Sequence, residues 1–256
     1  MKKLPVIISI PHGGSRIPEE IAEYVGAGMK DIFNDSDAFT QEIYNLSERV
    51  EAVVTAEVAR AFVDVNRARE DRPPQNPDGV VKSHTCFNVP VYRKGRLPEY
   101  RTVEKMLDRC YEPFHLEIRR LVEKDGIKLG LDCHSMAAVG PPLSPFPGRR
   151  REAAICLGNR HGESCGDDIT NRLASCFRKA FSLDKRAVAV NEPFSGGFIT
   201  RTFGMKPVPW IQVELNRSLY LADPWFDDEA LRVDPTRLGE LNAMFENTIG
   251  MFFDKP

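Results

Sequence analysis

The sequence has no long hydrophobic run and no marked excess of either charge. Its apolar stretches fall well short of the ~20 residues that a membrane-spanning helix needs, which argues against a membrane protein. Lysine and arginine together number 35, against 37 aspartates and glutamates. This near balance disfavours nucleic acid or an anionic membrane as a partner, because both require a broad basic surface. A local basic pocket is still compatible with this composition.

The sequence also lacks paired cysteines and two common catalytic signatures. Its six cysteines are scattered without a C-x-x-C pair, and no H-E-x-x-H or G-x-x-x-x-G-K-[ST] pattern occurs. At this chain length, scattered cysteines indicate buried, reduced thiols in a cytoplasmic protein rather than a disulfide framework. The beginning, MKKLPVIISIPHGG, superficially resembles a signal peptide. Because Pro5 and Pro11 interrupt its apolar run and no cleavage site follows, we interpret it as the first strand.

Strand-like and helix-like patterns alternate along all 256 residues, and no repeat or linker divides them. The strand-like runs are 5–10, 52–58, 127–133, 152–157, 186–191 and 209–215. Helical periodicity covers 37–50, 99–123 and 165–181, and a last helix begins at Asp234-Pro235. This alternation predicts one α/β domain, residues 1–256, built on a mainly parallel sheet.

Two segments, 68–98 and 139–151, are rich in proline, arginine and glycine and show weak periodicity. They are long for plain connections, so we expect them to be loops that frame a site. Ligands of open α/β sheets bind beyond the carboxyl ends of the strands. Polar residues at those ends are therefore the candidates for chemistry.

Two of the five histidines stand at such strand ends. His12 follows the first strand, and His134 ends the third strand-like run in GLDCHSM. Glu214 ends the last strand in IQVELNR. Two histidines and a carboxylate are a common ligand set for a catalytic zinc, and a further carboxylate then serves as general base. The residues thus admit a metal-dependent hydrolase.

The same residues have plainer interpretations. A single histidine at a strand end is more often a hydrogen-bonded structural residue. By strand alternation, Gln212, Glu214 and Asn216 share one face, which would be the solvent face in a half-exposed strand. A cysteine hydrolase that uses Cys133 with His134 is disfavoured, because adjacent strand residues point to opposite faces.

Six short segments occur in a fixed order and together resemble one family. They are PHGG, SDAFTQEIY, ARAFVDVNR, LDCHSM, GGFITRTFG and IQVELNRSLY. In this combination the chain resembles the N-formylglutamate amidohydrolase family from about residue 5 to about residue 250. That family is similar in fold to zinc carboxypeptidases and aspartoacylases. The resemblance implies a zinc-exopeptidase-like, three-layer α/β/α sandwich with a mixed, mainly parallel sheet and a metal at its strand ends.

The resemblance also implies a ligand set for one Zn²⁺ ion, namely His12, Asp37 and His134. Related carboxypeptidases take their acidic ligand from an H-x-x-E pair, but Ser15 stands three residues after His12. Asp35 is the alternative acidic ligand. Asp37 also has a structural interpretation as a helix N-cap.

The remaining site residues are carried over in the same way. Glu214 matches the catalytic glutamate, and Arg60 matches the arginine that polarises the scissile carbonyl. Asn66 and Arg67 resemble the pair that grips a substrate carboxylate, since a guanidinium binds a carboxylate through two hydrogen bonds. Arg201 is a weaker candidate for a second carboxylate. The alternative for Arg60 and Arg67 is an exposed ion pair.

Asp64 and Asp132 are interpreted as supporting the site rather than as metal ligands. The resemblance implies hydrolysis of an N-acyl amino acid, foremost N-formyl-L-glutamate, in histidine breakdown. We expect a small-molecule substrate and no nucleic-acid or membrane partner. The alternatives are the same chemistry on another N-acyl amino acid or small peptide, and a relative that binds an amino acid without turnover.

Overall fold

The computed structural model describes residues 3–254 and centres on a six-stranded sheet. The strands of this sheet are β1 Leu4–Ile10, β2 Val50–Thr55, β3 Leu129–Met136, β4 Ile155–Gly158, β5 Val188–Val190 and β6 Trp210–Asn216. Their spatial order is β2-β1-β3-β6-β4-β5. All neighbouring pairs are parallel except β4 and β6, which are antiparallel. The predicted mixed, mainly parallel α/β sheet is confirmed.

Helices cover both faces of this sheet. They are α1 Met29–Asp35, α2 Thr40–Tyr44, α3 Tyr100–Met106, α4 Glu112–Val122, α5 Asp167–Ala180, α6 Phe198–Phe203 and α7 Pro235–Phe253. A π-helical turn, Leu107–Tyr111, joins α3 to α4. Short 3-10 turns lie at Glu19–Tyr24, Arg93–Gly95, Arg160–Gly162 and Arg217–Leu219, and β7 Phe226–Asp227 pairs with β8 Arg232–Val233. No helix in the described part of the chain is long and apolar enough to cross a membrane.

Two hydrophobic clusters lie on opposite faces of the sheet. Alternate residues of β1 separate between them: Ile8 packs in the cluster that contains Phe245 of α7, whereas Ile7 packs in the cluster that contains Phe114 of α4. Because successive strand residues point to opposite faces and both faces are covered, every position of a central strand is shielded from solvent. This explains why β3 and β6 are buried along their whole lengths.

The six predicted strands of the sheet are all present, with ends shifted by a few residues. The helices predicted at 99–123 and 165–181 are present as α3–α4 and α5. The last helix begins as expected, because the Asp234 side chain accepts a hydrogen bond from the Thr236 N–H. All six cysteines are free, as their spacing indicated.

The predicted helix at 37–50 is wrong in its extent. Only α2 is helical there, since Phe39 before it has the left-handed φ of 63° and Val50 already pairs with Leu4 in the sheet. Ile43 and Val50 nevertheless belong to one hydrophobic cluster. The apolar spacing thus reflected burial against a common core rather than one continuous helix. Helices α1 and α6 were not predicted.

A close approach between two central strands depends on glycine. Gly130 of β3 pairs with Trp210 of β6, and the indole lies over the glycine. A Cβ on Gly130 would stand 2.1 Å from the indole ring. Trp210 is fully buried at this position. The absence of a side chain at Gly130 therefore allows Trp210, the largest fully buried side chain, to pack against β3.

Candidate active site

Three residues from separate segments converge at the carboxyl ends of the central strands. His12 follows β1, Asp37 lies in the turn between α1 and α2, and His134 lies in β3. The Asp37 Oδ2 atom is 3.2 Å from His12 Nδ1 and 3.0 Å from His134 Nδ1. The two Nδ1 atoms are 3.1 Å apart, and all three side chains are buried. They form the one His/Cys/Asp/Glu cluster in residues 3–254 suited to hold a metal ion.

The cluster has the dimensions and chemistry of a zinc site. Ligand atoms about 2.0–2.1 Å from a tetrahedral zinc are separated by roughly 3.3 Å, close to the separations among these three atoms. Two imidazole nitrogens and one carboxylate oxygen leave a fourth position for water or substrate, as in catalytic zinc sites. The residues therefore fit a divalent metal such as Zn²⁺.

Each histidine is oriented through its other ring nitrogen. His12 Nε2 lies 2.7 Å from Asp64 Oδ1, and His134 Nε2 lies 3.2 Å from Asp132 Oδ2. A carboxylate that accepts this N–H leaves Nδ1 unprotonated and aimed at the shared centre. The sequence interpretation of Asp64 and Asp132 as supporting residues agrees with this geometry.

The Asn66 amide lies beside the same imidazole. Its Oδ1 accepts a hydrogen bond of 2.8 Å from the Ile199 N–H, which fixes the orientation of the amide. The Nδ2 group then lies 3.2 Å from His134 Nε2. Asn66 and Asp132 therefore both contact the Nε2 edge of His134, on the side of the ring opposite the shared centre.

The two oxygens of the Asp37 carboxylate have different partners. Its Oδ2 faces the histidines, whereas Oδ1 accepts a 2.9 Å hydrogen bond from Arg217 Nη2. Its backbone N–H donates to the His12 carbonyl, which fixes the turn. Burial opposes ionisation of Asp37, but the neighbouring His12 and His134 outweigh it and hold its pKa well below the usual range. The carboxylate is therefore ionised, as a metal ligand must be.

Arg217 is the site residue that sequence reasoning missed. It follows β6 directly, within the quoted segment IQVELNRSLY, so the signal was its position at a strand end. Besides Asp37, its guanidinium donates to the Asn34 carbonyl at 2.9 Å and to Ser135 Oγ at 3.0 Å. The side chain thereby ties the Asp37 turn to β3.

Asp35, the alternative acidic ligand, lies outside the cluster. Its carboxylate accepts hydrogen bonds from Lys82 Nζ at 3.0 Å and from the Cys86 backbone N–H at 2.7 Å. Burial opposes its charge, yet Lys82 and Arg60 keep the pKa of Asp35 below its ordinary value. Lys82 is itself fully buried and also pairs with Asp78. Asp35 thus belongs to a buried ion network that anchors the 68–98 segment.

Glu214 stands directly opposite His134 in the register of β6 and β3. The Gln212 amide donates to its Oε1 at 2.8 Å, and Gln212 in turn accepts from the Gly197 N–H at 2.6 Å. Glu214 is only 6% exposed, so the solvent-face interpretation of this strand is wrong. The reason is the segment around Gly197, which covers the polar face of β6. Burial raises the pKa of Glu214 to about 7, the range in which a carboxyl group both accepts and donates protons at neutral pH.

The predicted arginines differ in their surroundings. Arg60 is largely buried and donates to Asp64 Oδ2 at 3.1 Å, so the exposed-pair alternative is wrong for it. Arg67 is about one-third exposed and donates to Asp78 Oδ2 at 2.8 Å. Arg201, on α6, is exposed. The catalytic role predicted for Arg60 and the substrate-binding roles predicted for Arg67 and Arg201 rest on the family resemblance alone.

One cavity of about 640 Å³ is lined by His12, Asp37 and His134, by Glu214, and by the three predicted arginines. Both long loops predicted to frame a site contribute to its wall, Asp71 and Cys86 from 68–98 and Pro141 and Ser144 from 139–151. Such a volume suits a small molecule.

Neither a cysteine nor a serine nucleophile is consistent with the structure. Cys133 is fully buried in the hydrophobic cluster on the face of the sheet away from His134, and burial raises the pKa of its thiol. The stretch GESCG at 162–166 fits the serine-hydrolase pattern G-x-S-x-G. Its Ser164 is buried, and the hydroxyl donates to the Trp210 carbonyl instead of facing the cavity.

The glycines after His12 are required by packing. A Cβ on Gly14 would lie 2.4 Å from the Glu57 backbone, and one on Gly13 would lie 2.8 Å from Thr40 Oγ1. The space beside these two glycines is therefore occupied by another part of this chain. It allows the turn after β1 to reach the cluster.

Comparisons with known proteins match most of this chain. The family model described as N-formylglutamate amidohydrolase matches residues 4–221. A curated relative, N-formylglutamate deformylase from Pseudomonas putida, is 28% identical over 230 residues, which span 86% of this chain and 83% of the relative.

Two solved structures share the fold. An N-formylglutamate amidohydrolase from Ralstonia eutropha JMP134 aligns with a TM-score of 0.82 at 19% identity, over 98% of this chain and 94% of that one. A protein from Agrobacterium tumefaciens aligns with a TM-score of 0.65 at 16% identity, over 98% and 90% of the two chains. At these identities the structural matches establish the architecture alone.

Proposed function

The chain belongs to the N-formylglutamate amidohydrolase family, and from this premise we propose that it hydrolyses N-formyl-L-glutamate to formate and L-glutamate. The observation that supports the proposal most directly is the meeting of His12, Asp37 and His134 beside Glu214 in one cavity. A cytoplasmic location and a place in histidine degradation are part of the same proposal.

The metal site is proposed to hold one Zn²⁺ ion through His12, Asp37 and His134. When bound there, the ion supplies Lewis acidity toward water and the scissile carbonyl. The ring orientations imposed by Asp64 and Asp132 leave both Nδ1 atoms available as ligands. Arg217 holds the Asp37 carboxylate in the matching orientation.

Glu214 is proposed as the group that moves protons. It takes a proton from the attacking water as the oxygen bonds to the formyl carbon. It then gives that proton to the nitrogen as the carbon–nitrogen bond breaks, so that formate and the amine leave. A carboxyl group with a pKa of about 7 is suited to both steps.

The arginines and Asn66 are proposed to place the substrate. Arg60, held by Asp64 at the edge of the metal cluster, stabilises the negative charge that develops on the carbonyl oxygen. Asn66 and Arg67 bind the α-carboxylate. Arg201 is the candidate from sequence for a second carboxylate.

Release of amine and formate from a panel of N-acyl amino acids tests this function. The panel includes N-formyl-L-glutamate and N-acetyl-L-glutamate, and the metal-stripped protein is assayed with and without added Zn²⁺. Zinc-dependent formation of formate and L-glutamate, lost in Glu214→Gln, supports the activity and the mechanism together. Turnover of a different N-acyl amino acid would retain the mechanism and overturn the substrate. Stoichiometric zinc binding without turnover of any compound would indicate a non-catalytic, amino-acid-binding relative.

A further inference from the structure

Six arginines line the cavity: Arg60, Arg67, Arg151, Arg160, Arg201 and Arg217. Four of them pair with carboxylates of the protein. Within residues 3–254, Arg151 and Arg201 have no carboxylate within 4 Å. A cavity wall that holds uncompensated guanidinium groups is suited to anionic groups of a ligand.

Arg151 is held firmly despite the missing ion pair. Its Nη1 donates to the Ala137 carbonyl at 3.1 Å, and its guanidinium lies 4.8 Å from the centre of the Phe194 ring. The backbone on both sides is fixed as well: the Arg151 N–H donates to Ala138, and the Arg151 carbonyl accepts from the Asn216 amide. The charged group is thus preorganised at the cavity wall before a ligand binds.

The electrostatic setting of Arg151 favours a role in binding rather than in stability. The residue is partly buried, and burial lowers the pKa of its guanidinium, although the nearby Glu214 opposes that shift. A desolvated cation with only neutral acceptors destabilises the folded protein. An incoming carboxylate would compensate that charge through charge-assisted hydrogen bonds. Arg201 is exposed, so solvent compensates its charge, and its guanidinium lies 5.6 Å from the centre of the Phe198 ring.

We propose that Arg151 selects the substrate by binding the side-chain carboxylate of the N-acyl amino acid, an inference that rests on the proposed function. The α-carboxylate is assigned above to Asn66 and Arg67, which follow Asp64. Arg151 comes from the other loop of the cavity wall and is available for the second carboxylate. The enzyme therefore prefers acidic N-formyl amino acids over their neutral isosteres, with Arg151 rather than Arg201 as the main determinant.

The test compares kcat/KM for N-formyl-L-glutamate and its neutral isostere N-formyl-L-glutamine. Arg151→Met lowers kcat/KM for the glutamate compound about 100-fold, the range of a lost charge-assisted pair, and changes the glutamine compound less than about 3-fold. Arg151→Lys retains part of the preference, because it keeps the charge but not the planar fork. Arg150→Met is the matched control: Arg150 is an exposed neighbour that pairs with Glu152, and it leaves both values unchanged.

Equal losses on both substrates, or a selective loss in Arg201→Met instead of Arg151→Met, would overturn the assignment. Thermal melts of the variants show whether each is folded. Calorimetric binding of L-glutamate and L-glutamine separates this inference from the proposed activity, because it requires no turnover. A wild type that binds glutamate but hydrolyses nothing contradicts the proposed function, while loss of glutamate binding in Arg151→Met still supports the inference. Unchanged glutamate binding in that variant contradicts it.

Discussion

Arg217 donates to the oxygen of Asp37 that faces away from the two histidines, at 2.9 Å. The carboxylate is thereby held so that only its other oxygen points to the shared centre of His12 and His134. Arg217 lies 180 residues after Asp37 in the chain. The orientation of a proposed metal ligand thus depends on a side chain from the last strand of the site.

Replacing Arg217 with methionine is expected to weaken zinc binding. Residues that orient metal ligands typically contribute 10–100-fold in metal affinity, so we expect a loss of about this size. A competition titration against a chromogenic chelator measures it. Arg237→Met, which removes an arginine of similar burial from α7, serves as the control. Wild-type zinc affinity in the Arg217 variant would show that Asp37 keeps its orientation without this bond.

Asp37→Asn and Asp35→Asn are expected to separate metal binding from stability. The first removes the carboxylate from the histidine cluster and abolishes stoichiometric zinc binding. The second leaves the buried Lys82 with a weakened partner and destabilises the fold by about 3–5 kcal/mol, while folded protein still binds zinc. Metal analysis and urea unfolding of both variants distinguish these effects. The reverse result would make Asp35 the ligand.

Zinc is expected to stabilise the metal-stripped protein. A ligand that binds only the folded state adds about 4 kcal/mol when it is present at 1,000 times its dissociation constant. Melting of the stripped protein at increasing zinc concentrations measures this gain. His134→Ala loses the gain, whereas His161→Ala keeps it because His161 is exposed outside the cluster. A zinc-induced shift that persists in His134→Ala would place the metal elsewhere.

His115 predicts a pH dependence of stability. It is buried among aromatic rings, its Nε2–H donates to the Val65 carbonyl, and its Nδ1 has no partner in the described part of the chain. Burial lowers its pKa to about 4 from the ordinary 6.5. The unfolded chain therefore binds the proton more readily than the folded protein does. The stability that the neutral His115 contributes is fully present above pH 6.5 and is lost as the pH falls toward 4.

The size of that effect is measurable by denaturant unfolding. Between pH 8 and pH 5, His115 becomes protonated in the unfolded chain but stays largely neutral in the folded protein. This difference lowers the free energy of unfolding by about 2 kcal/mol. In His115→Gln, which keeps a donor for Val65, the difference between the two pH values shrinks by this amount. His161→Gln leaves it unchanged. If the variant keeps the full wild-type pH dependence, another group causes it.

Gly130→Ala is expected to destabilise the sheet centre. The new methyl group would overlap the Trp210 indole, and both strands are held in register by neighbouring pairs. Forced overpacking of a dense core costs about 1–3 kcal/mol. Thermal and urea unfolding measure the loss, with Gly239→Ala in α7 as the control because nothing lies near a Cβ there. An unchanged stability would mean that the indole moves at no cost.

The sequence allowed the sheet and most of the site to be predicted. Largely apolar runs that end near His12, His134 and Glu214 marked central strands and their carboxyl ends. The resemblance supplied Asp37, which no strand pattern indicates because it lies in a turn between two short helices. The prediction of the sheet is confirmed because burial of its strands produces a local pattern in the chain.

Other features were hidden because they depend on distant partners. The apolar spacing around Ile43 continues across a turn and a strand, so periodicity alone read it as one helix. Glu214 is covered by the segment at Gly197, which strand alternation does not reveal. The roles inferred for Arg217 and Arg151 depend on the groups that these side chains contact in the folded protein. Those contacts exist once the sheet is assembled.

The site residues are far apart in the sequence, so they are synthesised on the ribosome at different times. His12, Asp37 and His134 all precede residue 137, so the three proposed metal ligands leave the ribosome before β6 is made. Glu214 and Arg217 follow much later. A nascent chain that ends before β6 can therefore contain every proposed metal ligand but neither Glu214, the proposed proton-transfer group, nor Arg217, which donates to Asp37. In the proposed mechanism, hydrolysis therefore requires that β6 has paired with β3.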